Sequence, residues 1–440
     1  MLKPGRSGAP SMASFPQKRE SILSLLSDAK KKMESRFREN DVRMGLVLGV
    51  LLLGGCARVV QPVQYFATGR PEKLSDWHLV EAREGRLTAN ADVVPYDLNT
   101  PLFSDYAHKF RTVWMPKGKS AKYDAEGPFD FPVGTVLTKT FFYPRSTSAP
   151  QDVKAVVRTY ETSHDFAAGA ANEALDLAQV RLIETRVLVR RDNGWEAIPY
   201  VWNASQTDAE LARTGDAIAL ELVDDTKPSK AAGDESPTGG REAFTYVVPN
   251  ENQCAGCHVT SVKAKQIEPL GPRARHLNRD YAYGSGKDNQ LAHWAAKGYL
   301  SDAPTAGLPH DADWHDATQP LAARARAYLD VNCSHCHSPS GPANTTALDL
   351  RSAATDLRRL GLCKPPVAAG RGTGDRLLDI VPGKPDESIL VYRMVSNETG
   401  VMMPEMGRST THREGAELIR QWIASLQGSC AGDSANVAKK

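Results

Sequence analysis

Two pentapeptides combine thiols and an imidazole at a spacing that suits covalent attachment of a metalloporphyrin. They are Cys254-Ala255-Gly256-Cys257-His258 and Cys333-Ser334-His335-Cys336-His337. In a Cys-x-x-Cys-His segment the two thiols bond to the vinyl groups of a haem, and the next residue brings an imidazole to the iron. The sequence therefore predicts two c-type haems, attached through Cys254, Cys257, Cys333 and Cys336 and axially ligated by His258 and His337.

A zinc site is the alternative to haem, because two Cys-x-x-Cys pairs together offer four thiolate ligands. A zinc site of that kind needs no histidine directly after each pair, and a long stretch of chain separates the two pairs. The repeated histidine therefore favours haem over zinc.

The second haem has a methionine-rich segment as its source of a sixth ligand. The segment reads Met402-Met403-Pro404-Glu405-Met406-Gly407. Met403 precedes the proline and is the predicted iron ligand; Met402 and Met406 are the alternatives. A thioether is a soft ligand that favours ferrous iron, so this haem is predicted to have the higher potential.

The sixth ligand of the first haem is left open. The sequence contains no methionine between His258 and the second motif. The candidates are a residue of the preceding region such as Met115, no protein ligand at all, or one of His276, His293, His310 and His315. Arg273 and Arg275 are candidates to pair with haem propionates, because guanidinium groups match carboxylates; a solvated basic loop is the alternative.

Cys56 and the apolar stretch before it predict that the protein is exported. Residues 45–55 form a short apolar stretch that ends in small residues, and Leu53-Gly54-Gly55-Cys56 resembles a bacterial lipobox. Cys56 would then be lipidated and anchor the protein to a membrane from the periplasm, with Ala57 favouring the outer membrane. The alternative is an ordinary signal peptide.

In such an oxidising compartment, Cys363 and Cys430 can form a disulfide; two separate thiols are the alternative.

The formal charge of the chain is only +2, with lysine and arginine scattered. No nucleic-acid partner is therefore predicted.

Patterns of residues predict a mainly antiparallel β sandwich or barrel, followed by helices. Asp192-Asn193-Gly194 is a hairpin turn signal. The predicted strands are Val136–Tyr143, Leu182–Arg190, Trp195–Trp202, Ala217–Val223 and Ala243–Val248. The predicted helices are Asn289–Leu300, Leu321–Val331 with Thr318 as its cap and Pro320 in its first turn, and Glu414–Leu426.

A helix that runs into Cys-x-x-Cys-His, then a methionine loop and a terminal amphipathic helix, resembles a class I cytochrome c domain over 319–430. The fold class expected is therefore α+β and multidomain, with a β-rich region followed by an α-helical cytochrome c-like region. The expected divisions are an extension and signal peptide over 1–56, a tether over 57–79, a β-rich domain over 80–250, a first haem segment over 251–318, the cytochrome c-like domain with the second haem over 319–430, and a tail over 431–440.

The mature chain also resembles a family of uncharacterised Gram-negative diheme c-type cytochromes. The segments that carry this resemblance are Val94–Tyr106, Phe131–Thr135, Glu184–Arg186, Tyr200–Asn203 and Leu277–Tyr281. The resemblance implies two haems and a periplasmic setting, but no substrate.

The predicted function is electron transfer between redox partner proteins of the cell envelope. The alternative is a diheme oxidoreductase, either peroxidase-like or with a substrate bound by the β-rich domain. A cleft that gathers Glu184, Arg186 and His108 would favour the substrate-binding version. A third hypothesis is that the β-rich domain docks a partner protein.

Overall fold

The fold contains strands along most of its N-terminal part, and its α-helices lie in the C-terminal half. The structure is a computed structural model that describes residues 61–160, 166, 171–225, 240–367 and 369–430. The strands are β1 Val80–Arg83, β2 Arg86–Ala89, β3 Val94–Tyr96, β4 His108–Trp114, β5 Ala121–Lys122, β6 Val136–Pro144, β7 Ala155–Val157, β8 Ala174–Asp176, β9 Val180–Arg191, β10 Gly194–Trp202, β11 Ala209–Leu211, β12 Asp216–Val223, β13 Glu242–Val248, β14 Asp280–Tyr283, β15 Gly286–Asn289 and β16 Leu300–Ser301. The α-helices are α1 Glu251–His258, α2 Ala274–Leu277, α3 Gln290–Ala296, α4 Leu321–Cys333, α5 Leu357–Leu360, α6 Ile389–Val395 and α7 Arg413–Ser425.

An open, antiparallel six-stranded sheet is the largest element. Its strand order is β11-β10-β9-β6-β4-β3. Arg191 pairs with Gly194, so Asp192-Asn193 is a two-residue hairpin loop, and Gly194 takes the positive φ of 128° that glycine tolerates. Because strand side chains alternate between faces, the sheet presents two different surfaces to its neighbours.

Both faces of this sheet are covered. One face, which includes Phe110 and Phe142, packs against the small sheet β1-β2-β8. Part of the other face, which includes Phe141, packs against the sheet β13-β12-β7. The rest of that second face packs against the segment that contains α1, α2 and α3. The fold is therefore α+β, with β-rich layers ahead of the longer helices.

The segment predicted as a tether over 57–79 joins the core at its C-terminal end. Leu74, Trp77 and Leu79 are almost completely buried in the cluster beneath the β1-β2-β8 sheet. Three large apolar side chains gain about 2 kcal/mol each by leaving water, which is sufficient reason for this segment to fold onto the sheet. The extension over 1–56 and the tail over 431–440 lie outside the described residues.

One predicted helix ends earlier than expected, and the predicted cap of another is wrong. The predicted helix 289–300 ends at Ala296, because Leu300 and Ser301 form β16 and pair with β5. Pro320, rather than Thr318, immediately precedes α4 at its cap, and the hydroxyl of Thr318 donates instead to Asp316, 2.7 Å away.

The helices α4, α6 and α7 share a separate apolar cluster in the C-terminal part. It includes Tyr328 of α4, Met394 of α6 and Trp422 of α7. In the described part of the chain, no helix combines the length and apolar character needed to cross a bilayer.

Candidate functional site

The first Cys-x-x-Cys-His segment forms most of α1. Asn250 caps the helix, because its side chain accepts a hydrogen bond from the backbone N–H of Gln253 at 2.9 Å, and the side-chain oxygen of Gln253 accepts one from the backbone N–H of Asn250, also at 2.9 Å. This reciprocal pair satisfies two N–H groups that have no partner within the helix. Cys254 is buried in the same apolar cluster as Leu188 and Ala197 of the six-stranded sheet. The first motif is therefore packed directly against the sheet.

His258 is held in one tautomer by the chain that follows it. Its Nδ1 lies 2.8 Å from the carbonyl oxygen of Glu268, so Nδ1 carries the proton and Nε2 keeps its lone pair. The backbone N–H of Glu268 donates in turn to the carbonyl of His258 at 2.8 Å. Burial, reinforced by the charge of Lys139, lowers the pKa of His258 to about 4. The imidazole is therefore neutral near pH 7.

The second motif begins at the last residue of α4. The backbone N–H groups of Cys336 and His337 both donate to the carbonyl of Cys333, which continues the helical turn through the motif. His337 Nδ1 lies 3.2 Å from the hydroxyl oxygen of Thr346, whose proton goes to the Ala343 carbonyl at 2.7 Å. Nδ1 of His337 is therefore also the donor. Burial is the main reason that the pKa of His337 falls to about 4.

The four motif cysteines are free thiols. Burial raises the pKa of all four, to about 12 for Cys333 and about 11 for Cys336. Among the described residues, the one group of side chains that brings three potential metal ligands within 4.8 Å of one another is His276, Asp311 and Asp330. The cysteines therefore do not gather into the four-thiolate site that the zinc alternative requires.

The two motifs lie next to each other. The backbone N–H of Val262, just after the first motif, donates to the carbonyl of Ser340, just after the second, at 3.1 Å. The charge of a Cys257 thiolate would raise the pKa of Cys336, a second sign of proximity. Met406 also lies against Gly256 of the first motif, with its sulfur 3.0 Å from where a Cβ atom would stand.

The sheet face next to the first motif is charged. Lys139 and Arg186 are paired in register on β6 and β9 and share this face with the apolar residues that bury Cys254. Arg186 makes two hydrogen bonds to the fully buried Glu184, at 2.9 and 2.5 Å, and the hydroxyl of Tyr246 donates to the same carboxylate at 2.7 Å. Glu184 and Arg186 thus form an ion pair behind the motif, in which the carboxylate is fully buried and the arginine side chain is 30% exposed.

His108 does not belong to this group. Its ring contacts Phe142 and Phe166, with centroids 5.5 and 5.4 Å apart, on the opposite face of the sheet from Glu184 and Arg186. The three side chains thus do not meet in one cleft, and the arrangement that would have favoured a substrate site is not present.

The methionine loop lies between α6 and α7. The backbone N–H of Met403 donates to the Arg393 carbonyl at 2.9 Å, and Arg408 Nε donates to the Met403 carbonyl at 3.1 Å. Met402 and Met403 are half-buried, whereas Met406 is 45% exposed. The backbone is therefore most firmly held at Met403.

The four histidines considered for the first haem are occupied elsewhere or exposed. His276 Nε2 lies 3.2 Å from Asp330, and the ring of His293 stacks on Tyr283 with centroids 3.6 Å apart. His315 hydrogen-bonds Asp313 at 2.8 Å, and His310 is exposed. None of the four has a described contact with the first motif. Met115 is buried in the apolar cluster that also contains Cys254.

The group of His276, Asp311 and Asp330 is a polar cluster that no sequence pattern indicates. Burial opposes ionisation of Asp330, but the hydrogen bond with His276 and nearby arginine charges outweigh it and lower the pKa to about 2. Arg275 Nη1 lies 3.6 Å from Asp330 and supplies a permanent positive charge. The negative charge of this cluster is therefore offset by arginine side chains of the protein itself.

Cys363 and Cys430 are joined as a disulfide, with Cα atoms 5.4 Å apart.

Comparisons with protein families, curated proteins and solved structures found no match. Cys56 lies outside the described residues. The fold thus places the two predicted haem segments next to each other, and it separately joins the predicted pair Cys363 and Cys430. The structure also shows three residues near the motif histidines that the sequence did not indicate. Glu268 and Thr346 accept hydrogen bonds from His258 and His337, and the charge of Lys139 lowers the pKa of His258.

Proposed function

We propose that this protein is a diheme c-type cytochrome that passes electrons between redox partners of the cell envelope. The observation that carries the proposal is shared by both motifs. Each ends in a neutral histidine whose Nδ1 donates to an oxygen, next to two free thiols. A second-sphere acceptor of this kind orients an imidazole for metal binding through Nε2.

The residues present fit two haems. Cys254 and Cys257 would attach the first and His258 would ligate its iron; Cys333, Cys336 and His337 would do the same for the second. The four motif cysteines form no disulfide, and they do not gather into a zinc-like cluster. A haem bound in this way supplies a one-electron redox centre.

The packing of α4 on α7 supports a class I cytochrome c-like arrangement around the second motif. Gly415 of α7 faces the ring of Tyr328 of α4, with no room for a side chain between them. The helix that ends in the motif and the terminal helix thereby cross at close range. The methionine loop lies between α6 and α7, and Met403 is our proposed sixth ligand to the second iron.

The neighbouring motifs support electron exchange within the molecule. The hydrogen bond from Val262 to Ser340 joins the segments that follow the two motifs. Electrons entering at one haem would then be passed to the other without release into solution. Attachment to a membrane through Cys56 remains part of the proposal and rests on the sequence alone.

A second candidate function is supported by the histidines near the first haem segment. Because His276, His293 and His315 make other contacts, the first iron would lack these three ligands, and one coordination position would be open if neither Met115 nor Met406 reached it. An open position would allow a small oxidant such as a peroxide to bind, with the second haem as the source of electrons.

One spectroscopic experiment separates these functions. The full chain is produced with c-type haem maturation, its haem content is counted, and the reduced spectrum is recorded with and without carbon monoxide. Two haems without a carbon monoxide shift support the carrier, and a shift in half of the haem supports the open site. Replacing Cys254 and Cys257 with serine should leave one haem.

The matched control replaces two cysteines outside the motifs. Cys363→Ser combined with Cys430→Ser should retain both haems, because these residues form a disulfide rather than a haem attachment site. A chain that carries no covalent haem under these conditions would overturn the proposed function.

A further inference from the structure

Asp105 joins the β-rich region to the segment that follows the methionine loop. It is buried, and its Oδ1 accepts three hydrogen bonds: one from the backbone N–H of Ser409 at 2.7 Å, and two from the backbone N–H and the hydroxyl of Thr410 at 2.7 and 3.0 Å. The hydroxyl of Tyr143 on β6 donates to the carbonyl of Asp105 at 2.7 Å, so Asp105 is itself fixed to the six-stranded sheet. One carboxyl oxygen thus ties two consecutive residues of a distant segment to the sheet.

The backbone at Asp105 has a conformation that residues other than glycine rarely adopt. Asp105 and Tyr106 have positive φ angles of 51° and 64°. Aspartate tolerates this conformation better than most residues, but it is unfavourable for a bulky tyrosine and persists only where the surroundings determine it. The hydroxyl of Tyr106 donates to Glu414 Oε2 at 2.8 Å and accepts a hydrogen bond from the backbone N–H of Arg413 at 3.1 Å. The strained turn therefore directs two consecutive side chains to one segment, 409–414.

Arg408 connects this segment to Met403. Arg408 is buried, and its Nε donates to the Met403 carbonyl at 3.1 Å. Its Nη1 donates at 3.0 Å to the carbonyl of Thr410, the residue that Asp105 holds. Its Nη2 donates to the carbonyl of Ser396, just after α6, at 2.7 Å. A continuous set of hydrogen bonds therefore runs from the sheet to Met403, the methionine proposed as an iron ligand.

We propose that Asp105 is a positioning residue for Met403, through which the β-rich region controls the sixth ligand of the second iron. This inference rests on the proposed function, in which Met403 binds that iron. A thioether can leave the iron only if its loop moves, so each contact that fixes the loop also disfavours loss of the ligand. A change in the β-rich region at Asp105 therefore reaches the iron through the loop alone.

The test uses the full haem-loaded chain and four variants. Asp105→Ala removes the acceptor, whereas Asp105→Asn keeps an acceptor oxygen in the same place. Thr410→Val removes one of the three donors with little change in volume. Asp225→Ala is the matched control, because Asp225 accepts four similar hydrogen bonds from residues 146–148 and, among the described residues, none from the methionine loop.

Two properties are measured after the haems are counted. Hydrogen exchange of the backbone amides over 403–410 reports how firmly the loop is held, with or without haem. The concentration of added imidazole that abolishes the methionine-to-iron absorption band of the ferric protein reports how easily Met403 leaves the iron. A chain without covalent haem would reject the proposed function, while the exchange rates would still decide whether Asp105 holds the loop.

We expect Asp105→Ala to speed exchange over 403–410 and to lower the imidazole concentration at half-displacement about tenfold, equivalent to about 1.4 kcal/mol, because buried donors lose their acceptor. Thr410→Val should lower that concentration about threefold, because one hydrogen bond is lost. Asp105→Asn should stay close to the parent protein, and Asp225→Ala should change neither property.

Unchanged exchange or unchanged displacement in Asp105→Ala would overturn the inference, and so would equal effects of Asp105→Ala and Asp225→Ala. If Asp105→Ala does not fold, Thr410→Val is compared with the control in its place. A Thr410→Val protein that matches the parent in both properties would then overturn the inference.

Discussion

Replacing Gly415 with alanine should destabilise the protein, although the same change normally strengthens a helix. Gly415 lies in α7, where alanine is favoured over glycine by about 1 kcal/mol. An added Cβ would stand 2.5 Å from both Cε2 and Cζ of Tyr328, and closer still to its hydroxyl. The ring is buried and its hydroxyl is 3.0 Å from His412 Nδ1, so it has little room to move.

The expected loss is about 2 kcal/mol in the free energy of unfolding. Forcing a methyl group into a packed core costs about 1–3 kcal/mol, and disturbing the hydrogen bond between Tyr328 and His412 costs about 1 kcal/mol. The gain in helix propensity offsets part of this cost. Urea unfolding of the haem-loaded protein, followed by far-ultraviolet circular dichroism, measures the difference.

Gly256 offers a matched control in α1. There the added Cβ would meet the sulfur and terminal methyl of Met406, a flexible and partly exposed side chain that can move away. Gly256→Ala should therefore leave stability nearly unchanged. Combining Gly415→Ala with Tyr328→Leu should recover part of the loss, because the two changes act on one contact. Additive losses, or a Gly415→Ala protein as stable as the original, would refute this account of the packing.

Four further outcomes are expected. Cys430→Ser opens a disulfide that spans 67 residues and should lower the free energy of unfolding by about 4 kcal/mol; adding Cys363→Ser should cost nothing more, and a second loss of similar size would contradict the pairing. Burial lowers the pKa of His412 from 6.5 to about 3, so the folded state resists protonation and stability should fall as pH drops from about 6.5 towards 3, by about 1.4 kcal/mol per pH unit from this residue. His412→Phe should remove that part of the slope in acid-unfolding curves, and identical slopes would count against it. Met403→Ala should lower the potential of the second haem and abolish any methionine-to-iron absorption band, whereas an unchanged spectrum would move the ligand to a neighbouring methionine. Cys56→Ser should release the protein into the soluble periplasmic fraction, and continued membrane association would contradict the lipid anchor.

Local patterns were sufficient for five of the strands and for one hairpin. The alternation over residues 182–190 and the turn at Asp192-Asn193-Gly194 predict β9, β10 and their pairing, because both signals lie within a short stretch of chain. The helix predicted to run to Leu300 ends earlier, since Leu300 instead pairs with β5 nearly 180 residues away along the chain. A single sequence does not reveal such a distant partner.

The candidate site likewise combines features set by neighbouring residues with features set by residues distant in the chain. Cysteine and histidine spacing is sufficient to predict the two haem segments, because the attachment chemistry proposed for them needs only neighbouring residues. The carbonyl of Glu268 and the hydroxyl of Thr346 fix the two histidines through loops of unpredictable shape. Arg273 and Arg275 look equivalent in sequence, and only the three-dimensional structure shows that Arg275 is hydrogen-bonded to Ser352 and Glu126.

The disulfide between Cys363 and Cys430 places a demand on how the chain matures. It is formed by two of six cysteines beyond residue 56, and six cysteines can pair in 15 different ways. Oxidation is required for this one bond, whereas under the proposed function the other four thiols must stay reduced until they are attached to haem. An exported chain would therefore need an oxidant for one pair and a reductant for the two Cys-x-x-Cys pairs in the same compartment, and the order of these events would decide whether it reaches this structure.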